Sequence, residues 1–215
     1  MKIRNYLVIL SLLLPALTRI YGQELKSSTY GFSIGILGKH TQWSTGSSFF
    51  QGLNEAAPSA WGFGARIGYG FTEKLEVSLA YSKANHLNSD LKNDWSAYSS
   101  QMVLLNLRIN FGATLKPVRL YLEGGAGQSM LKMDPVYLPD DFYTQQYLLK
   151  LSGLALNAGA GLLYYPMRNL AIDLGFFGRF GQYNNITASG IEYDPGEKTD
   201  FQFLTTQLGI TYYLQ

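Results

Sequence analysis

The sequence predicts an all-β fold, namely a closed antiparallel up-and-down transmembrane β-barrel of eight strands. Apolar and small residues alternate along eight separate runs, and a period of two residues is that of a β-strand. Long and short connections alternate between these runs. Charged residues make up only 15% of the 215 residues and aromatic residues 14%, whereas ordinary soluble domains carry about 25% charged residues.

The first 22 residues are predicted to be a cleaved signal peptide, followed by one barrel domain at 23–215. Lys2 and Arg4 precede an apolar segment from Tyr6 to Leu17, which is the order found in secretory signals. This segment is shorter than the roughly 20 residues of a membrane-spanning helix. The signal holds three of the 17 basic residues and none of the 15 acidic ones, so the net charge changes from +2 to −1 on its removal. No nucleic-acid partner is therefore expected.

Each predicted strand carries bulky apolar residues on one face and mostly small residues on the other. The run from Trp61 to Phe71 separates the two sets completely, with four glycines and Arg66 on the second face. A helix would mix the two sets. The eight runs are Tyr30–Ile36, Trp61–Phe71, Leu75–Lys83, Gln101–Gly112, Val118–Glu123, Gly153–Tyr164, Leu170–Arg179 and Leu204–Leu214.

The connections predict the orientation of the barrel in the membrane. Outer-membrane barrels have long external loops and short periplasmic turns. The predicted external connections are 41–59, 84–97, 131–148 and 184–200. The predicted periplasmic turns are 72–74, 113–117 and 166–169. Both ends of the domain are then expected on the periplasmic side.

The small face is predicted to line the lumen, and the bulky face to contact lipid. The interior of an eight-stranded barrel is just wide enough for side chains, and a sheet in hydrocarbon must close so that its backbone groups are paired. Aromatic residues at the strand ends are typical of membrane-interface girdles. The predicted periplasmic girdle is Tyr30, Phe71, Phe111, Tyr164 and Tyr212. The predicted outer girdle is Trp61, Tyr81, Phe180 and Phe203.

The chain resembles the outer-membrane β-barrel domain proteins common in Bacteroidetes, a group that includes PorT-like and OmpA- or OmpX-like small barrels. The resemblance is carried by the signal ending in Gly22-Gln23, the glycine-aromatic strands, and the final run QLGITYYLQ. It covers nearly all of the chain after the signal. It implies a barrel in the bacterial outer membrane and, from the PorT-like members, an accessory role in protein secretion or envelope assembly.

Seven charged residues are predicted to face the lumen, where an unpaired charge is costly. We interpret them as an internal ion-pair plug, with Arg66 near Glu76 and Arg108 near Glu123 across successive turns. The alternative is a narrow or gated conducting path. The candidates are Arg66, Glu76, Arg108, Arg119, Glu123, Asp173 and Arg179.

Aromatic residues in two of the long connections are candidate ligand-binding residues. Loops on a rigid scaffold often carry binding sites, and aromatic residues are enriched at interfaces. The alternative is that these aromatics pack on each other above the membrane. The candidates are Trp43, Phe49, Phe50, Tyr137, Phe142 and Tyr143.

The sequence predicts no enzyme, no cofactor and no metal. Cysteine is absent, which excludes thiolate chemistry and a disulfide framework. A catalytic set at the outer rim, made of His40 and His86 with Asp90 and Asp94, is an alternative that no local motif supports. A calcium site is a further alternative, but the spacing of its residues matches no known loop motif. Its residues would be Asp134, Asp140 and Asp141.

Three functions remain open from the sequence. The first is a non-enzymatic structural or adhesive barrel in the outer membrane that acts through four external loops. The second is the secretion or assembly accessory, and the third is a rim enzyme that acts on lipid A or peptides. The expected partners of this monomer are outer-membrane lipid, periplasmic chaperones, the barrel-assembly machinery and an extracellular protein or glycan.

Overall fold

The computed structural model describes residues 27–46, 58–87, 97–139, 144–188, 190–193 and 199–214. The predicted signal peptide at 1–22 lies outside the described residues. This part of the chain forms nine strands: β1 Gly31–Ser44, β2 Ser59–Gly70, β3 Leu75–Leu87, β4 Ala97–Phe111, β5 Val118–Pro139, β6 Thr144–Met167, β7 Leu170–Ala188, β8 Ile191–Tyr193 and β9 Thr199–Leu214. No helix within these residues is long and apolar enough to cross a membrane.

Eight of these strands close into an antiparallel barrel, which confirms the predicted fold class. Each strand pairs with the next along the chain from β1 to β7, and β9 joins β7 to β1. The β1–β9 pairing runs from Phe32 opposite Leu214 to Ser44 opposite Gln202. The short strand β8 pairs only with the outer end of β7. Closure leaves no unpaired sheet edge in the barrel wall.

The outer wall carries a continuous band of exposed apolar side chains. Exposure of such a band to water is unfavourable, whereas contact with hydrocarbon stabilises it. Trp61 is 77% exposed at the outer end of the band, with Tyr81 and Phe180 also exposed there. Exposed members of the band include Phe32, Ile34, Ile36, Phe63, Ile67, Leu79, Leu105, Leu107, Leu120, Leu122, Leu154, Phe176, Leu208 and Ile210.

The strands are longer than the sequence pattern predicted, especially on one side of the barrel. A transmembrane strand needs about 9–11 residues, whereas β5 has 22 residues, β6 has 24 and β7 has 19. Pairing of β5 with β6 continues to Pro139 opposite Thr144. The predicted connection 131–148 is therefore mostly paired strand. The ladder also contains irregularities between Met133 and Val136 and between Ser152 and Gly153.

The extensions were missed because their pattern is reversed. In the extensions, apolar residues such as Leu131 and Leu151 point inward and are buried, while Gln182 and Gln202 point outward. Outside the bilayer the wall contacts water, so apolar side chains are stabilised on the inner face. Phe203 follows this rule, since it is buried on the inner face of β9. Its assignment to the outer lipid-facing girdle was wrong.

Close approach of the strands requires glycine at particular lumen positions. A Cβ at Gly127 of β5 would lie 1.9 Å from the carbonyl oxygen of Val103 on β4. On the same strand, a Cβ at Gly124 would have only one neighbour, the carbonyl oxygen of Asn157 at 3.7 Å. Gly124 lies on the outer face, so its small size is not required by the lumen.

These two glycines give a matched test of barrel packing. Gly127→Ala is expected to lower the free energy of unfolding by about 1–3 kcal/mol, because the added methyl group overlaps the β4 backbone. Gly124→Ala is expected to change it by less than about 0.5 kcal/mol. The measurement is urea unfolding in lipid vesicles, followed by the band shift between unboiled and boiled samples on SDS gels. Equal effects of the two substitutions would contradict the close strand approach.

Candidate functional site

The barrel interior is filled at three levels, and each level has a different chemistry. Polar and aromatic side chains fill the periplasmic end, an ionic cluster fills the middle, and a large apolar cluster fills the outer end. The strand alternation sends these side chains inward from all eight barrel strands. Filled lumens are expected at this strand number.

Arg66 and Arg108 form the centre of the ionic cluster. Arg66 of β2 forms a salt bridge with Glu76 of β3, and Ser33 Oγ donates a hydrogen bond to the same carboxylate at 2.9 Å. Arg108 of β4 lies with its Nη2 2.7 Å from Glu123 Oε2 of β5. Both carboxylates are therefore held by arginines on neighbouring strands.

Asp173 of β7 connects the two arginine pairs across the lumen. Its Oδ2 lies 2.9 Å from Arg108 Nη1 and 3.5 Å from Arg66 Nη1. Tyr121 donates its hydroxyl hydrogen to Asp173 Oδ1 at 2.7 Å. The guanidinium carbon of Arg108 also lies 3.8 Å from the centre of the Tyr121 ring, which is a cation–π contact. One carboxylate thus ties strands β2, β4, β5 and β7 together.

Arg119 belongs to a separate network at the periplasmic mouth. Its Nη1 lies 3.7 Å from Glu73 Oε2 in the β2–β3 turn and 3.3 Å from Thr29 Oγ1. The Thr29 amide also donates to Glu73 at 2.9 Å. The amides of Ser27 and Ser28 donate to the carbonyls of Thr114 and Arg168 in the other two periplasmic turns. The segment at 27–29 therefore crosses the mouth and contacts all three turns.

Trp43 lies inside the barrel, so its assignment to an external loop was wrong. The connection was predicted to begin at residue 41, but β1 continues to Ser44. Trp43 is 1% exposed and lies 5.5 Å from Tyr98 and 6.1 Å from Phe203 between ring centres. The apolar extension of the lumen stabilises this position, since burial removes a large aromatic surface from water.

The other candidate binding residues lie outside what the structure describes. Phe49, Phe50, Phe142 and Tyr143 fall in the undescribed connections. Tyr137 lies on the extension of β5, where only the backbone is described. The same holds for Asp134, while Asp140 and Asp141 lie outside the described residues. Within the described part of the chain, no group of three or more His, Asp or Glu could hold a metal ion.

The two histidines lie on opposite faces of the barrel wall. His40 points outward from β1, with its ring 4.9 Å from the Trp61 ring. His86 is buried in the lumen, where its ring stacks on Tyr98 at 4.2 Å. A pair separated by the sheet cannot act together on one substrate, because a general acid–base pair must reach the same reacting group. Asp90 and Asp94 lie outside the described residues.

The strand pattern did not reveal Lys39, which is also buried in the lumen. It is 4% exposed on β1, and Arg179 on β7 is 5% exposed. Continuing the β1 alternation past Ile36 would have placed Leu37, Lys39, Thr41 and Trp43 inward. The alternation that reveals Lys39 is present in the sequence, but Lys39 lies after the last residue of the clear apolar face.

Two lysines lie opposite each other on the outer face of the strand extensions. Lys132 of β5 and Lys150 of β6 are direct cross-strand partners. Both lie beyond Gln128 and Leu154, which form a pair nearer the membrane. Like charges in direct cross-strand pairs are destabilising. Together the two lysines place positive charge on the part of the wall that lies outside the apolar band.

Comparison with known proteins identifies a related sequence family and similar folds. The OprF membrane domain family matches residues 47–196. Outer membrane porin F of Pseudomonas fluorescens is 33% identical over 116 residues, which are 52% of this chain and 32% of that protein. The chain thus spans about a third of the length of this curated relative.

Solved structures with a similar fold include the following proteins. Ail, the attachment invasion locus protein of Yersinia pestis, is 17% identical with a TM-score of 0.54, over 86% of this chain and 99% of that one. Neisserial surface protein A is 17% identical with a TM-score of 0.53, over 86% of this chain and 97% of that one. A structure of Ail with the heparin analogue sucrose octasulfate is also similar, at 18% identity and a TM-score of 0.52, over 86% of this chain and 99% of that one.

The closed barrel, its apolar band and these similarities define an integral protein of the bacterial outer membrane, as the sequence predicted. The chain belongs to the OprF membrane domain family. The more specific resemblance to PorT-like proteins of Bacteroidetes is not among these findings.

The central ionic cluster can be tested at Asp173. Asp173→Ala is expected to lower the free energy of unfolding by about 3–5 kcal/mol, because two buried arginines lose a shared carboxylate. Asp200→Ala, at an exposed position of β9, is the matched control and is expected to have little effect. Urea unfolding in lipid vesicles measures both. A loss no larger at Asp173 than at Asp200 would contradict the bridging role.

Proposed function

We propose that this protein is a non-enzymatic surface barrel that binds an acidic glycan through its outer strand extensions and external connections. The lumen provides the supporting structure and does not act as a diffusion channel. The observation that carries the proposal is the pairing of Lys132 with Lys150 on a wall that extends beyond the apolar band.

The filled lumen supports a role on the outside of the barrel. Arg66, Arg108 and Asp173 are each at most 3% exposed at the centre. The outer cluster adds Leu131, Leu151 and other side chains that are fully buried. A ligand that enters from outside would have to displace both groups. The surface that remains available to a ligand is therefore the outer rim.

The lysine pair supports an acidic ligand. Lysines at directly opposed positions of neighbouring strands repel each other in the free protein, and an anion bound by both removes that repulsion. The extension of β5 and β6 holds both lysines on a paired sheet. A rigid platform reduces the entropy lost on binding. The complex of Ail with a heparin analogue makes heparin a suitable probe.

The lysine pair gives the direct test. Cells that display Lys132→Gln/Lys150→Gln are expected to bind immobilised heparin about tenfold more weakly, since two partly exposed ion contacts of up to about 1 kcal/mol each are lost. The control is Lys116→Gln, at an exposed position in the turn between β4 and β5 on the opposite side of the barrel. Band shift on unboiled gels confirms folding of each variant. Undiminished heparin binding by the double variant would overturn the glycan assignment, and binding only to an immobilised protein would favour a protein ligand.

A second candidate is a porin, which the name of the related porin F supports. The buried ionic cluster opposes this role, because an open pore would have to separate Arg66 and Arg108 from their carboxylates. In planar bilayers, the wild-type barrel is expected to give no stable, long-lived channels. A boiled sample in the same detergent is the control. Sustained open channels in the unboiled sample alone would favour the porin and count against the filled lumen.

A third candidate is an accessory role in secretion or envelope assembly, which the resemblance to PorT-like proteins implies. Under the proposed binding role, a strain that lacks the gene keeps protein secretion and loses surface attachment. Loss of secretion in that strain would favour the accessory role instead. Outer-membrane lipid, periplasmic chaperones and the barrel-assembly machinery are the partners we propose for a monomeric barrel of this kind.

A further inference from the structure

The central lumen holds more positive than negative charge. Between the Arg119–Glu73 network and the outer apolar cluster, four basic side chains of the described chain are buried, namely Lys39, Arg66, Arg108 and Arg179. Three carboxylates are buried with them, namely Glu76, Glu123 and Asp173. The excess is one positive charge. An uncompensated charge in a low-dielectric interior carries a high free-energy cost.

Lys39 and Arg179 carry two positive charges, whereas Arg66, Arg108 and the three carboxylates together carry one net negative charge. Glu76, Glu123 and Asp173 already form their salt bridges with Arg66 and Arg108. Among the described residues, no salt bridge joins a carboxylate to Lys39 or Arg179.

Within the described part of the chain, the side-chain acceptor bonded to Arg179 is a neutral amide. The Arg179 Nε donates to Asn157 Oδ1 at 3.2 Å, and that amide in turn donates to Asn106 Oδ1. The Lys39 ammonium lies against the β2 backbone, where a Cβ at Gly64 would be 3.3 Å from its nitrogen. This glycine leaves room for the lysine head group, but it supplies no acceptor.

A small cavity lies between these two cations. Its lining contains Lys39, Arg179, Thr41, Ser82 and Ser100, together with Met102 and Phe203. No carboxylate of the described chain lines it. Its volume is about 10 Å³, which is close to the space that one water molecule needs. The cavity therefore suits a monatomic ion and excludes phosphate or sulfate.

We propose that this cavity binds one small monovalent anion with the chemistry of chloride. The anion balances the excess charge of the central lumen, with Lys39 and Arg179 as cationic ligands and the neighbouring hydroxyl groups as hydrogen-bond donors. It is an internal structural ligand, and it is independent of any ligand at the outer rim. Strands β1 and β7, which carry the two cations, are not direct neighbours in the barrel, so the anion links them through the lumen.

Anomalous scattering locates the site directly. Crystals of the full chain, purified folded in detergent, are grown in sodium bromide. A single bromide peak is expected in the lumen between Lys39 and Arg179, and none in Lys39→Met or Arg179→Gln crystals. Absence of lumen bromide from the wild-type protein would overturn the proposal.

Thermal unfolding in detergent tests the same site in solution. Replacing gluconate by chloride at constant ionic strength is expected to raise the unfolding midpoint of the wild-type barrel by about 2–4 °C. The rise is expected to saturate with chloride concentration and to vanish in both variants. Lys116→Met, at an exposed position in the turn between β4 and β5, is the matched control and keeps the full response. An equal rise in all four proteins would indicate a general salt effect and would overturn the proposal. If Lys39→Met does not fold, Arg179→Gln alone provides the test.

Discussion

Backbone hydrogen bonding in hydrocarbon is the constraint on which this structure depends. An unpaired amide or carbonyl group in the bilayer costs several kcal/mol, so a sheet that crosses the membrane must close. The pairing of β1 with β9 completes that closure along thirteen registered positions. With eight strands the enclosed space is only wide enough for side chains, so closure also determines that the interior must be packed.

The interior packing follows from this narrow space. Glycines such as Gly127 allow a close approach of the strand backbones. The remaining volume is filled by charged side chains that form ion pairs and by apolar side chains that pack together. Charged groups meet in the middle around Asp173, while Leu131, Leu151 and Phe203 meet at the outer end. Arginine is suited to the middle because one guanidinium can contact two carboxylates. The packed interior leaves the outer rim as the surface where a ligand can bind.

The accuracy of the sequence prediction depended on the solvent that each segment meets. Within the bilayer, the alternation from Trp61 to Gly70 and from Leu75 to Lys83 matches the paired strands β2 and β3. Beyond the bilayer the extended strands carry apolar residues inward, so Trp43 of β1 and Phe203 of β9 were assigned to the wrong environment. Lys39 was missed because it follows the last residue of the clear apolar face of β1, although the same alternation continues through it. A period of two persists in both regions, but its meaning reverses where lipid gives way to water.

The sequence by itself determined the class of fold, its location in the outer membrane, and the inward direction of the central charges. These follow from local periodicity and composition, which each strand carries independently. Only the tertiary structure decided which charges meet, because Arg108 and Asp173 are 65 residues apart and come together through barrel closure. It also decided the height of the β5–β6 wall and the placement of Lys39 beside Arg179. Such contacts depend on strand register and on the shape of the enclosed space, and the pattern of a single strand determines neither of them.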